Sequence, residues 1–155
     1  MGIDAIMADA GLTRGGFYHH FKNKDDLLAA VVKAEFADTP PGAGVVPPDA
    51  LAMISENYLA AEHRDDVAGG CFMCAMAAEL SRADTASRAA FTEMAQGFVE
   101  MAASAIPEDD PERRRKALAI LAQSVGSVIM ARAVADEEMS DAILAAGREA
   151  LARLA

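Results

Sequence analysis

The chain has 155 residues, with 14 Lys and Arg against 24 Asp and Glu, a formal net charge of −10. That length fits one domain, or a small module attached to a larger one, with a core that needs neither disulfides nor metal. A hydrophobic fraction of 53% excludes a disordered tail, and the acidic balance excludes a chain coated in nucleic acid, though not a local basic patch.

No run of about 18 apolar residues is present, and no basic region precedes an apolar one at the start. No membrane partner or secretory signal is therefore expected, and a cytoplasmic location is the default. Abundant Ala, no Trp and scarce strand signatures predict an all-α fold.

Ile3, Ile6, Met7 and Ala10 fall on one helical stripe that ends at Gly11. Thr13 is a good N-cap for a second short helix, Arg14 to about His20, with Phe17 and Phe21 on its inner face. Asn23 can cap a third helix, whose first turn holds Asp25 and Asp26 and which runs on through Leu27, Leu28, Val31, Val32 and Phe36. Residues 37–48 hold four prolines and two glycines and predict a loop between two modules, 1–36 and 37–155. Further helices are predicted over about 49–64, 71–80, 83–105, 112–134 and 140–154, the last with Ser140 as N-cap.

Leu12 to Lys24 reads LTRGGFYHHFKNK: three cations, no acid, and Phe17, Tyr18 and Phe21 interleaved. A short helix, a Gly turn and a second helix form a helix-turn-helix. Gly15 and Gly16 within a helix cost about 1 kcal/mol each relative to Ala, which close approach to another surface would offset. Arg14 near the start of such a helix could pair bidentately with guanine. A loop at Gly15-Gly16 is the alternative.

IDAIMADAGLTRGGFYHHFKNKDDLL, Ile3 to Leu28, resembles the helix-turn-helix signature of the tetracycline-repressor (TetR) family of bacterial regulators. Ile6, Ala10-Gly11-Leu12, Thr13, Phe17-Tyr18, Phe21, Lys24 and Leu28 fall in register. The resemblance implies that Thr13, Arg14, Gly15 and Gly16 meet the major groove of double-stranded DNA, with His19 among the groove-facing positions. Tyr18, His20 and Lys24 are implied to contact the DNA backbone, and Phe17 and Phe21 to be core. Members of that family carry a further helix ahead of the segment matching Ile3, so a truncated sequence is expected. If Met1 is the native start, DNA binding comes into doubt.

In the larger module, Leu118, Leu121, Val125, Val128, Ile129 and Ala133 in helix 112–134 and Ile143, Leu144, Leu151 and Leu154 in helix 140–154 form apolar stripes. Ala122, Gly126 and Ser127 would let helices approach closely. These helices are expected to form a homodimer, the alternative being one intramolecular core. Such a dimer sets two recognition helices about 34 Å apart, hence a palindromic operator.

Met53, Tyr58, Phe72, Met76, Phe91, Met94, Phe98 and Met101 are candidate lining for a pocket that takes a small apolar or aromatic ligand. Cys71 and Cys74 stand at i, i+3 at a helix start. Buried apolar cysteine is one reading and redox sensing another; a zinc site lacks ligands, with His63 alone nearby. The Arg113–Lys116 run follows an acidic stretch and is expected to be a self-neutralising helix start.

No glycine-rich phosphate loop, GxSxG or HExxH occurs, so neither an enzyme, a cofactor nor a metal is expected. The reading is a ligand-released transcriptional repressor. Its alternatives are an all-α dimeric binding protein without DNA binding, and a cysteine redox-responsive regulator.

Overall fold

The structure is a computed structural model and describes residues 2–38 and 50–154. All regular structure among these residues is helical. The first three helices are α1 (Ile3–Asp9), α2 (Arg14–His20) and α3 (Lys24–Asp38). Then come α4 (Ala50–Met53), one π-helical turn over Ile54–Tyr58, and α5 (Ala61–Asp65). The remainder is α6 (Phe72–Leu80), α7 (Thr85–Ser104), α8 (Arg113–Ala133) and α9 (Glu137–Ala152).

The α1–α2 corner follows directly from Gly11. Its φ of +68° lies in the left-handed region, which a Cβ disfavours. The turn lets Gly11 N–H donate to Ala8 O (3.0 Å) and Leu12 N–H to Met7 O (2.8 Å), closing the helix end. Met7 and Phe17 are buried where the two helices meet. Thr13 caps α2 through Oγ1, which accepts from Gly16 N–H at 3.3 Å. Asn23 caps α3 by accepting from Asp26 N–H at 2.8 Å, and the Asp26 carboxylate accepts from Lys22 N–H at 3.1 Å.

Two cores hold the remainder. The smaller centres on Val32, Leu80 and Ala90, with Leu28, Phe72, Met76, Phe91 and Met94 against it, so it joins α3, α6 and α7. Full burial of Val32 and Leu80 contributes about 1.5–3 kcal/mol each. A polar tie reinforces this joint: fully buried Ser87 donates from Oγ to Asp25 O in the first turn of α3, at 3.1 Å. The larger core lies between α7, α8 and α9 and includes Leu59, Val99, Ile120, Val128, Leu144 and Leu151.

Several expectations change. The predicted helix over 49–64 is broken. Leu59 and Ala60 leave helical geometry (ψ 28° and 155°), and side chains capture the carbonyls this releases. His63 Nδ1 donates to Tyr58 O at 2.7 Å, and Arg148 Nη1 donates to Leu59 O at 2.5 Å. The break lets Leu59 enter the core completely. The third helix runs through Asp38, past the predicted start of the loop, and the rest of that loop lies outside the described residues.

The last helix starts earlier than predicted, because Asp136 and not Ser140 is its N-cap, accepting from Met139 N–H at 2.7 Å. Ser140 is buried in the next turn, donating to Ala131 O (2.8 Å) and accepting from Arg64 (3.0 Å). Two cations of the Arg113–Lys116 start are neutralised locally, Lys116 by Asp110 (3.0 Å) and Arg115 by Glu112 (2.5 Å), while Arg113 donates to Ala103 O at 2.8 Å.

Among the described residues one helix, α8, is long and apolar enough to cross a membrane by length and composition. Gln123, Ser124 and Ser127 interrupt its apolar sequence. Its Ala117, Ile120, Ser124, Ser127, Val128 and Ala131 are buried within this fold.

Candidate functional site

The basic segment, Leu12 to Lys24, comprises the end of the α1–α2 turn, α2 and the first residue of α3. Thr13, Arg14, Gly15, Tyr18, His19, His20 and Lys24 are all exposed, and Gly16 is half-buried. Phe17 is the anchor on the opposite face, 5.3 Å from the Tyr18 ring and 5.6 Å from the Phe21 ring. Tyr18 is 52% exposed, a large amphipathic side chain held upright by an edge contact and open to solvent. Arg14 Nη1 pairs with Asp4 Oδ2 at 3.0 Å, and both side chains are largely exposed. Such a pair is weak and easily exchanged for another acceptor.

Gly15 and Gly16 lie inside α2, which removes the loop alternative. Neither has a positive φ. A Cβ on Gly15 would come no nearer than 4.0 Å to Thr13 Oγ1, and one on Gly16 would meet Met7 and Thr13 at an ordinary 3.7 Å. Nothing within the described residues therefore requires glycine at either position, although glycine weakens the helix.

A second group of chemically distinctive side chains lies at the start of α6. The Tyr58 hydroxyl is 3.1 Å from Cys74 Sγ, and the Tyr58 ring packs against His63 (4.5 Å) and Phe98 (6.3 Å). Cys71 is the N-cap of α6, and its N–H donates to His63 Nε2 at 3.1 Å. Arg132 reaches across from α8 and donates to the carbonyls of Arg64 (2.8 Å), His63 (2.8 Å) and Asp66 (3.2 Å). Gly70 is required here, because a Cβ would collide with Asp66 O and come within 2.8 Å of Arg132 Nη2.

Hydrogen bonding from the Cys74 thiol, aided by Tyr58 and the N–H groups of Cys74 and Met73, holds Cys71 down to about 5 against the effect of burial. The same Cys71 hydrogen bond, with burial, pushes the Cys74 thiol far up. Burial, with the neighbouring cysteines, raises Tyr58 strongly.

The candidate ligand residues do not converge. Phe72, Met76, Phe91 and Met94 pack on the smaller core, while Tyr58 and Phe98 pack on the larger one. Met101 is half-buried in α7, and Met53 is 47% exposed. An open groove of about 490 Å³ runs between α6 and α7, past Leu80, Ser81, Thr85, Arg88 and Thr92. Of the candidates only Phe91 lines it. Sequence reasoning missed Arg132 and the Tyr58–Cys74 contact, whose partners come from distant helices. The signal it did have was the Cys71–Cys74 spacing.

Residues 1–31 match the family model for bacterial regulatory proteins of the tetR family. The match covers the helix-turn-helix segment, about a fifth of the chain. The Transposon Tn10 TetC protein of Escherichia coli is 54% identical over 33 residues, which are 21% of this chain and 17% of that protein. The match thus spans less than a fifth of that protein's length. The solved structure of E. coli NemR in its reduced form shares the fold, with a TM-score of 0.70 at 21% identity, covering 96% of this chain and 85% of that one.

Proposed function

We propose that this chain is a tetR-like DNA-binding transcriptional regulator, a repressor that a small apolar ligand releases from a palindromic operator. Residues 1–36 form the DNA-binding module in this reading, and residues 37–155 the ligand-binding and dimerisation module. The observation that carries it is the exposed first turn of α2, where two glycines serve no need inside the described fold. A helix backbone bare of side chains can sit close against base edges and direct free N–H groups at phosphate.

Thr13, Arg14, Gly15, Gly16 and His19 would face the groove, with Arg14 exchanging Asp4 for a guanine edge. Tyr18, His20 and Lys24 would contact the DNA backbone. Dimerisation would use the parts of α8 and α9 that the core leaves open. Leu118, Met130 and Met139 are each about half exposed, whereas Val128, Leu144 and Leu151 are consumed by the protomer's own core.

Release would be a population shift. A ligand against α6 and α7 would move them relative to α3, which is tied to them by Val32 and by the Ser87–Asp25 bond. The half-site spacing of the dimer would then no longer match.

The test is a mobility shift with the protein expressed from its full reading frame, on DNA flanking that frame, at two salt concentrations. A salt-sensitive complex is expected, weakened on all sequences by Tyr18→Ala and relaxed at one base by Arg14→Ala. Sequence preference unchanged by Arg14→Ala would overturn its base-reading role.

A further inference from the structure

The first turn of α6 carries two thiols three residues apart, and three elements converge on them. Cys71 has no side-chain cap bond of its own, and its N–H is held by His63. Cys74 stands 3.1 Å from the Tyr58 hydroxyl at the end of the π-helical turn. Both cysteines are free and half-buried. Residues three apart at a helix start lie within the span of about 4.4–6.8 Å between Cα atoms that a disulfide bridges. Phe72, Met76 and Leu80 of α6 belong to the smaller core, together with Leu28 and Val32 of α3 and Ala90 of α7. A change at this turn therefore reaches the helix that follows the basic segment through that shared core.

We propose that Cys71 and Cys74 are a redox switch: a hydroperoxide oxidises Cys71, Cys74 closes the disulfide, and α6 passes the change to α3 through Phe72 and Met76. In the first step the Cys71 thiolate attacks the terminal peroxide oxygen. An S–O bond forms, the O–O bond breaks, and the departing alkoxide takes a proton from solvent to become an alcohol. In the second step Cys74 Sγ attacks the sulfenic sulfur. The S–S bond forms, the S–O bond breaks, and hydroxide leaves with the Cys74 proton as water. The dithiol loses two electrons and two protons, and the peroxide is reduced to alcohol and water.

Tyr58 is a positioning residue. Its hydroxyl holds the resolving sulfur beside Cys71 and is lost as a partner when the disulfide closes, freeing the π-helical turn to move. The low thiol of Cys71 and the raised one of Cys74 suit nucleophile and resolving partner respectively. The regulatory meaning of the switch rests on the DNA-binding reading, but the switch itself does not.

The experiment treats the reduced full chain with cumene hydroperoxide and follows intact mass, free thiols and amide hydrogen exchange. Expected are joint loss of both thiols, a mass lower by two hydrogens, reversal by dithiothreitol, and altered exchange in α3. Cys71→Ser should slow oxidation of Cys74 by about tenfold or more. Cys74→Ser should stop at a sulfenic acid on Cys71 that dimedone traps. Tyr58→Phe should slow disulfide closure while leaving dimedone trapping at Cys71 intact.

Surviving thiols, independent over-oxidation of each sulfur, or Cys74 oxidation indifferent to Cys71→Ser would overturn the dithiol. A disulfide that leaves α3 exchange unchanged would overturn the relay. Neither readout involves DNA, so a failed mobility shift counts against the regulator reading alone.

Discussion

His63 joins two chain breaks through opposite nitrogens: Nδ1 bonds the Tyr58 carbonyl at 2.7 Å and Nε2 bonds the Cys71 N–H at 3.1 Å. Because Nε2 must accept, the proton sits on Nδ1, and the neutral ring fits both partners at once. His63→Ala leaves a half-buried carbonyl and a half-buried N–H without partners. We expect a loss of about 1–3 kcal/mol in urea unfolding. An unchanged midpoint would mean that water replaces the ring without cost.

The crossing of α8 and α9 depends on Gly147. A Cβ there would lie 2.6 Å from Ser127 Oγ and 3.1 Å from Leu59 Cδ1. Gly147→Ala should cost about 1–3 kcal/mol by overpacking. Adding Ser127→Ala should recover part of that, since the nearest clashing atom is gone. Recovery is only partial because Ser127 Cβ itself stands at 3.2 Å. Thermal unfolding of the single and double variants reads both effects.

The thiols give stability a pH dependence with a definite sign. Cys71 is held at about 5, chiefly by the Cys74 hydrogen bond, while an unfolded thiol titrates near about 8.5. Between these values the folded chain binds fewer protons, so stability rises with pH across the window and is lost as pH falls through about 5. Above the unfolded value the sign reverses, because Cys74 and Tyr58 keep protons that the unfolded chain releases. The stability gap between the reduced protein and Cys71→Ser should therefore widen from pH 6 to pH 8 in urea titrations. A gap independent of pH would contradict the assignment.

The exposed apolar residues of α8 and α9 carry the dimer proposal. Leu118→Glu with Met130→Glu should leave the fold intact, because both side chains are about half exposed. Sedimentation velocity should then report a monomer where the parent chain is a dimer. A parent chain that is already monomeric at micromolar concentration would remove the proposal.

Much of the fold was legible because it is written locally. Gly11 marks its helix end through its backbone freedom, Thr13 and Asn23 through side-chain oxygens that reach a nearby N–H, and the structure uses each as read. The break at Leu59–Ala60 was not legible, because it depends on Arg148 arriving from α9 to take the Leu59 carbonyl and on His63 folding back onto that of Tyr58. The start of α9 was misread because Asp136 and Ser140 are both competent caps, and burial against Ala131 claims the serine.

The basic segment was visible as a charge pattern. The ligand candidates were not resolvable, since Met and Phe at helical spacing fill cores as readily as pockets, and here they divide between two cores. The Tyr58–Cys74 contact was invisible because its residues are sixteen apart and meet only through the π-helical turn.

The central claim is that the first turn of α2 is bare because DNA occupies the space in front of it. The most direct measurement is the DNA affinity of Gly16→Ala beside its folding stability. The added methyl meets only ordinary contacts at 3.7 Å inside the protein. The variant should be as stable as the parent or more so, by up to about 1 kcal/mol. Its affinity for the operator should nevertheless fall by tenfold or more. Affinity equal to the parent's, in a variant equally well folded, would contradict the account.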